Sequence, residues 1–236
     1  DGIIICSYFT DSENVNLILM LSMELINPDI EAYAQDHTTE EPELLKMLVK
    51  KSEQKLKHID MISGKVVGEL IAILIKISGA ATALEIGTFV GYSALRIAGA
   101  LPENGALITC DNNKRYEKIA RQAFSQSKHG HKITMKMGPA MQTIPRLQQS
   151  FDFIFIDADK VNYPKYFKAL VPRLNEGGLM LIDNVFWSGK VLKPDNEKTR
   201  AIDACNDMVA ADERVEEVML TVRDGLTIVR RKKENE

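Results

Sequence analysis

FDFIFIDADK, residues Phe151 to Lys160, is apolar at five of its first six positions and then turns abruptly into Asp157-Ala158-Asp159-Lys160. A nearly continuous apolar run of this length suits a strand buried on both faces, as in a parallel sheet covered by helices. The charged cluster then falls at the carboxyl end of that strand, where open α/β sheets bind their ligands. Two acids and a lysine at such a place call for a ligand.

On the N-terminal side, strand and helix signals alternate. Residues 82–86 form a short apolar strand running into Gly87-Thr88-Phe89-Val90-Gly91, and 92–100 a helix closed by the turn Leu101-Pro102-Glu103-Asn104-Gly105. A second strand, 106–110, ends in Asp111; a helix over 114–128, a third strand over 132–137 and a short helix over 140–149 follow. On the C-terminal side, 163–174 reads as a helix stopped by Asn175-Glu176-Gly177-Gly178. Residues 179–182 are a fifth strand ending in Asp183-Asn184, 185–196 a loop and 197–211 a helix. Between strands 215–222 and 226–230, Arg223-Asp224-Gly225 carries an Asp-Gly pair, a hairpin signal. This order predicts an α/β fold: a Rossmann-like, doubly wound, mostly parallel seven-stranded sheet with a C-terminal antiparallel hairpin.

Extra N-terminal helices precede the sheet. Residues 40–58 are amphipathic through Leu44, Leu45, Leu48 and Val49. Residues 64–77 keep a helical period at 66, 67, 70, 71, 74 and 77, behind Ser63 as a candidate N-cap. Residues 1–30 are expected to be an extension, part of it disordered, and 31–236 a single domain.

The bulk numbers fit that picture. The 236 residues are 45% apolar and 27% charged, with net charge −3, so no general affinity for nucleic acid or anionic membrane is expected. The three cysteines, Cys6, Cys110 and Cys205, are far apart and odd in number, and none belongs to a zinc-like cluster. Ile3-Ile4-Ile5 and the run 15–21 are too short for a membrane span, and no signal peptide is apparent. A cytoplasmic protein is expected. His37, His58, His129 and His131 are expected to be solvated.

Glu85, Asp111 and Asp157 each stand at a strand end, so a doubly wound sheet brings them to one edge. Gly87 lets backbone approach a ligand closely, and Asp111, 24 residues further on, is placed to bind ribose hydroxyls. A dinucleotide site would want GxGxxG before a pyrophosphate; here the spacing is GxxxG, which favours a nucleoside ligand without phosphates. A glycine turn beside a solvated acid would look the same.

With LEIGTFVGYSAL, the strand end at Asp111, GPA at 138–140, FIDADKVNY at 155–163, LIDNVFWSG at 181–189 and DGLTIVRR at 224–231 in this order, the chain resembles the cation-dependent class I O-methyltransferases. That group contains the caffeoyl-coenzyme A O-methyltransferases and their bacterial relatives, and the likeness makes 31–236 one methyltransferase domain. It implies S-adenosylmethionine held by Ser63, Glu85, Gly87, Thr88, Ser93, Asp111, Ala140 and Asp159. It also implies a divalent cation (Mg²⁺, or Mn²⁺ or Ca²⁺) on Asp157, Asp183 and Asn184, with Lys160 taking the phenolic proton and Trp187 walling the substrate. Two carboxylates and an amide oxygen are hard ligands suited to these ions. The ion would stabilise a phenolate and disfavour the ammonium form of Lys160, leaving the lysine to act as general base. The acceptor implied is a small catechol-like phenol, such as a caffeoyl ester or flavonoid, and relatives of this kind are commonly homodimers.

Plainer readings exist beside each of these. Asp183-Asn184 alone would serve as a turn, Ser63 as a cap and Trp187 as a surface anchor. Lys65 and Ser188 depart from the family pattern, as do Asp203 and Cys205, so substrate specificity is not implied. A nicotinamide oxidoreductase and a catalytically silent cofactor-binding protein remain as alternatives. A nucleic-acid methyltransferase is disfavoured, because no NPPY-like motif and no basic face are present.

Overall fold

Strand β4 (Phe151–Ile156) is central, lying parallel to β1 (Thr82–Ile86) on one side and to β5 (Leu174–Asp183) on the other. In the computed structural model, which describes residues 26–56 and 61–234, β2 (Ala106–Asp111) and β3 (Ile133–Met137) extend the parallel sheet beyond β1. Strand β7 (Leu226–Arg231) runs antiparallel between β5 and the edge strand β6 (Val215–Leu220). The order is β3-β2-β1-β4-β5-β7-β6, the predicted mostly parallel sheet with its terminal hairpin.

Successive side chains of β4 serve opposite faces. Phe153 and Phe155 pack with α2 (Glu43–Glu53), α3 (Gly64–Ser78), α4 (Tyr92–Ala100) and α5 (Lys114–Gln126). Ile154 and Ile156 pack with α6 (Ala140–Thr143), α7 (Tyr163–Leu170) and α8 (Glu197–Ala210). Each such fully buried side chain contributes roughly 1.5–3 kcal/mol, which is why the apolar run had no polar alternation to show. Asp152, its one polar member, accepts from the backbone of Ala81 (3.0 Å) and Thr82 (2.9 Å) and from Asn175 Nδ2 (2.7 Å), tying the entry of β4 to both neighbouring strands. Among the described residues, no helix is long and apolar enough to cross a membrane.

Several boundaries differ from expectation. Helix α2 begins after Pro42 and ends at Glu53, and the end of the predicted 40–58 helix lies outside the described residues. The expected extension 1–30 also falls mostly outside them; its last residues start α1 (Pro28–Asp36), capped by Asn27 Oδ1 on Asp29 N (2.8 Å). In α3 the buried stripe is Val67, Ile71 and Ile75, not Ile77, which is 78% exposed because it lies off that face before the left-handed Gly79. Ser63 makes no side-chain cap to α3. Helix α7 stops at Leu170, since Pro172 lacks the N–H to continue it. The expected turn 175–178 belongs to β5: pairing jumps from Phe151–Leu174 to Phe153–Leu179, so Asn175-Glu176-Gly177-Gly178 bulges from the strand.

Cys110 and Cys205 are free and buried, and burial pushes both thiols up to about 12; Cys6 lies outside the described residues. His129 is half-buried rather than solvated, its Nδ1 has no hydrogen-bond partner, and burial lowers its pKa. His58 also lies outside the described residues. Lys65 opposes the α3 dipole but has its own partner, Glu40, at 3.1 Å.

Candidate active site

The carboxyl ends of β1, β2, β4 and β5 open on one cleft of about 970 Å³, at the point where strand order reverses between β1 and β4. Gly87 (φ +108°) follows β1. A Cβ there would lie 2.7 Å from the Asp157 carbonyl carbon and closer still to its oxygen, so only glycine passes this near β4. Gly91 (φ +92°) opens α4 and leaves no room for a Cβ, which would stand 2.6 Å from the Phe124 ring. The space these glycines release is used first by the protein's own packing.

Asp111 is held by that turn. Its Oδ2 accepts the N–H groups of Thr88 (3.1 Å) and Phe89 (2.7 Å), and its Oδ1 that of Asn113 (2.7 Å). Ser63, Thr88, Ser93 and Ala140 line the cleft with it. Gly138 (φ +132°) borders the same space, and nothing lies within 4 Å of where its Cβ would be. A larger residue there would fill the cradle beside Ala140.

Glu85 does not line the cleft. It is wholly buried beneath the turn, where Thr109 Oγ1 donates to its Oε2 (2.5 Å) and its Oε1 has no partner. Burial pushes its carboxyl up to about 8, with the nearby Ser93 and Thr109 hydroxyls opposing. Burial thus favours the neutral form of Glu85, which supports the turn from below.

The other wall is built around Lys160, buried at 7% exposure. Its ammonium donates to Asp157 Oδ1 (2.9 Å), Asn184 Oδ1 (2.6 Å) and the Tyr163 hydroxyl (2.5 Å). Tyr163 donates onward to the Asp183 carbonyl (3.0 Å), so a fully buried tyrosine aims the lysine. The Asp183 carboxyl is pushed up to about 7, by burial first and then by the charge of Asp157, with Lys160 opposing. Asn184 takes a left-handed turn (φ +58°) and donates its N–H to Asp183 Oδ1 (2.8 Å), which leaves its amide oxygen facing Lys160. The Trp187 ring stands 5.7 Å from Lys160 Nζ, a cation–π distance. Asp159, at the rim, accepts from the Tyr166 hydroxyl (2.5 Å) and from Asn162.

Three residues take a part in the site that the sequence alone does not assign to them. Tyr163 was only a helix start; its aromatic character three residues after Lys160 was the available signal. Arg223 and Asp224 were only a hairpin turn. Asp224 Oδ1 accepts the Ser188 N–H (2.5 Å), and Arg223 donates to the carbonyls of Ile62 (3.0 Å) and Ser63 (2.6 Å), 161 and 160 positions earlier in the chain. No local pattern announces contacts of that range. Among the described residues, no group of three or more His, Cys, Asp and Glu side chains is arranged for a metal ion; the converging set is two carboxylates and one amide.

A sheet of this order with its cleft at the β1/β4 switch point defines the class: the Rossmann-like S-adenosylmethionine-dependent methyltransferases. An O-methyltransferase family model matches residues 35–232. Caffeoyl-CoA O-methyltransferase 2 of Zea mays is 38% identical over 180 residues, covering 70% of this chain and 68% of its own. Probable caffeoyl-CoA O-methyltransferase 1 of Dictyostelium discoideum is 32% identical over 211 residues, covering 86% of this chain and 92% of its own. The O-methyltransferase TomG of Streptomyces achromogenes, solved in complex with SAM, superposes with a TM-score of 0.78 at 26% identity, over 87% of this chain and 96% of its own. The chain belongs to the O-methyltransferase family.

Proposed function

We propose that this enzyme transfers a methyl group from S-adenosylmethionine to one hydroxyl of a small catechol-like phenol, with a divalent cation held by Asp157, Asp183 and Asn184. The observation that carries this reading is the meeting of Asp157, Asn184 and Lys160 within hydrogen-bond reach, in the same cleft as the glycine turn and Asp111. The donor set fits the ion: all three ligands are hard oxygens, and the pair Asp157 and Asp183 repels enough to help raise Asp183 to about 7. Lys160 Nζ already stands as the cation against two of those oxygens, which marks where positive charge is wanted.

When bound, S-adenosylmethionine would supply an electrophilic methyl on sulfur, and the cation would supply the charge that stabilises a phenolate oxygen. The chain's own residues do the rest. Asp111 and the turn behind it hold the nucleoside end, and Gly138 and Ala140 leave room beside it. Asp157 and Asn184 orient the diol, and Trp187 covers it on the rim. Lys160, aimed by Tyr163, would receive the phenolic proton as the neutral amine, the form that a cation bound on Asp157, Asp183 and Asn184 would favour over the ammonium. Holding donor and acceptor in line contributes through proximity alone.

Incubation with S-adenosylmethionine, Mg²⁺ and a panel of catechols, read by product mass, should give a product heavier by one methylene, and EDTA should abolish it. Undiminished turnover after exhaustive chelation would sink the metal assignment. Lys160→Ala should lower kcat by about 10²-fold or more. The loss should be greatest at acidic and neutral pH, where few phenols ionise unaided. A pH profile parallel to wild type would rule the lysine out as base.

A further inference from the structure

Arg223 is a non-glycine residue in the left-handed region, at φ +50°, in a hairpin turn where a glycine would sit without strain. Something must compensate for that backbone, and its side chain is the candidate. At the border of the cleft, Arg223 Nη1 donates to the carbonyls of Ile62 (3.0 Å) and Ser63 (2.6 Å). Its Nε lies 4.0 Å from Glu31 Oε1, and Glu31, Ile62, Ser63 and Arg223 all border the cleft. Gly64 (φ +79°) makes this approach possible, since a Cβ there would collide with Nη1.

The next two residues grip the opposite lip. The Asp224 carbonyl accepts the Phe186 N–H (2.9 Å), Asp224 Oδ1 accepts the Ser188 N–H (2.5 Å), and the Gly225 carbonyl accepts the Val185 N–H (3.2 Å). The Phe186 ring packs where a Gly225 Cβ would stand, 2.5 Å away. Three consecutive residues thus bridge the 62–64 segment and the 185–188 loop, which carry Ile62, Ser63, Trp187 and Ser188 at the border of the cleft.

We propose that Arg223 is a positioning residue for methyl transfer, its guanidinium setting the Ile62–Ser63 backbone at a fixed separation from the loop that carries Trp187. The inference rests on the function proposed above, and it concerns the geometry of the cleft rather than the chemistry in it. Charge-assisted hydrogen bonds to two carbonyls are stronger than neutral ones, so a single side chain suffices to hold the segment.

Arg223→Gly separates this role from a merely structural one, because it deletes the guanidinium while relieving the backbone. The variant should melt within about 2 °C of wild type or above it. It should nevertheless bind S-adenosylhomocysteine about tenfold more weakly by calorimetry, raise KM for S-adenosylmethionine more than it lowers kcat, and exchange the amides of 61–64 faster. Arg223→Lys, which can still reach one carbonyl, should fall between the two. Wild-type affinity and wild-type exchange at 61–64 in an active Arg223→Gly enzyme would overturn the inference and leave the proposed function standing. So would a drop in Tm that accounts for all the lost binding. A wild-type enzyme that methylates no acceptor would overturn both together.

Discussion

Gly87→Ala should destabilise the protein by about 3 kcal/mol or more, lowering Tm by roughly 6–12 °C for a chain of this size, and should abolish cofactor binding in whatever folds. The expectation is steric. The added Cβ would meet the backbone carbonyl of Asp157, 2.7 Å from its carbon, at φ +108°. Backbone in the centre of a sheet cannot rotate aside as a long side chain would. The backbone is also pinned on both sides there, by Gly87 N–H to the Cys110 carbonyl of β2 and by Asp157 N–H to the Ile86 carbonyl of β1, each at 2.9 Å. Gly138→Ala is the control. It sits at φ +132° with open space around the new methyl, so its cost should be the backbone strain alone. Calorimetry of the two variants reads the difference. A Gly87→Ala protein melting within 2 °C of wild type would mean that β1 and β4 do not approach as described.

Asp157→Ala should reduce methyl transfer by about 10³-fold or more, the loss expected when several kcal/mol of charge stabilisation is removed from the reacting oxygen. The fold should survive, because the Asp157 side chain keeps 20% exposure and among the described residues it hydrogen-bonds only to Lys160, which retains Asn184 and Tyr163. Two further readouts do not depend on activity. Mg²⁺ should raise the Tm of wild type by preferential binding to the folded state and leave that of the variant unchanged. The pH dependence of stability should also flatten. In wild type, the Asp183 carboxyl is raised from 3.8 to about 7. Between those values the unfolded chain has lost a proton that the folded chain keeps, so stability falls as pH rises, by at most about 1.4 kcal/mol per pH unit for this group. Removing the Asp157 charge removes part of the cause, so the window should close at a lower pH and the total loss of stability across it should shrink. An equal total loss and an equal Mg²⁺ response would argue that the two carboxylates do not share a site.

The parts of this molecule that could be read in advance are those whose physics is local. Phe151 to Ile156 declared itself because a strand covered on both faces has nowhere to put polar residues, and Asp-Gly at 224–225 declared the hairpin through backbone geometry. Asp157 was visible because strand ends in such a sheet share an edge, whereas Asp183 and Asn184 entered the candidate site through the resemblance to the O-methyltransferases. What could not be read depended on partners far away in the chain. Glu85 looked like Asp111, an acid at a strand end, yet Thr109 and burial draw it under the turn and out of the cleft. Asn175 to Gly178 has the composition of a turn and becomes a bulge inside β5, because Phe151 and Phe153 set the register on the neighbouring strand. Arg223 joins residues 160 and 161 positions earlier, a distance at which no periodicity carries information.

The position of β7 carries a consequence for how the protein is made. This strand lies inside the sheet, between β5 and β6, although it follows both of them in the sequence. Until it inserts, β5 lacks its partner along 179–183, and the loop bearing Trp187 has no turn to lean on. A nascent chain can assemble β1 to β4 and the nucleoside half of the cleft early. The half that the proposed function gives to the methyl acceptor forms only once β7 has been made, so a product ending before residue 226 would be a donor-binding shell without an acceptor side.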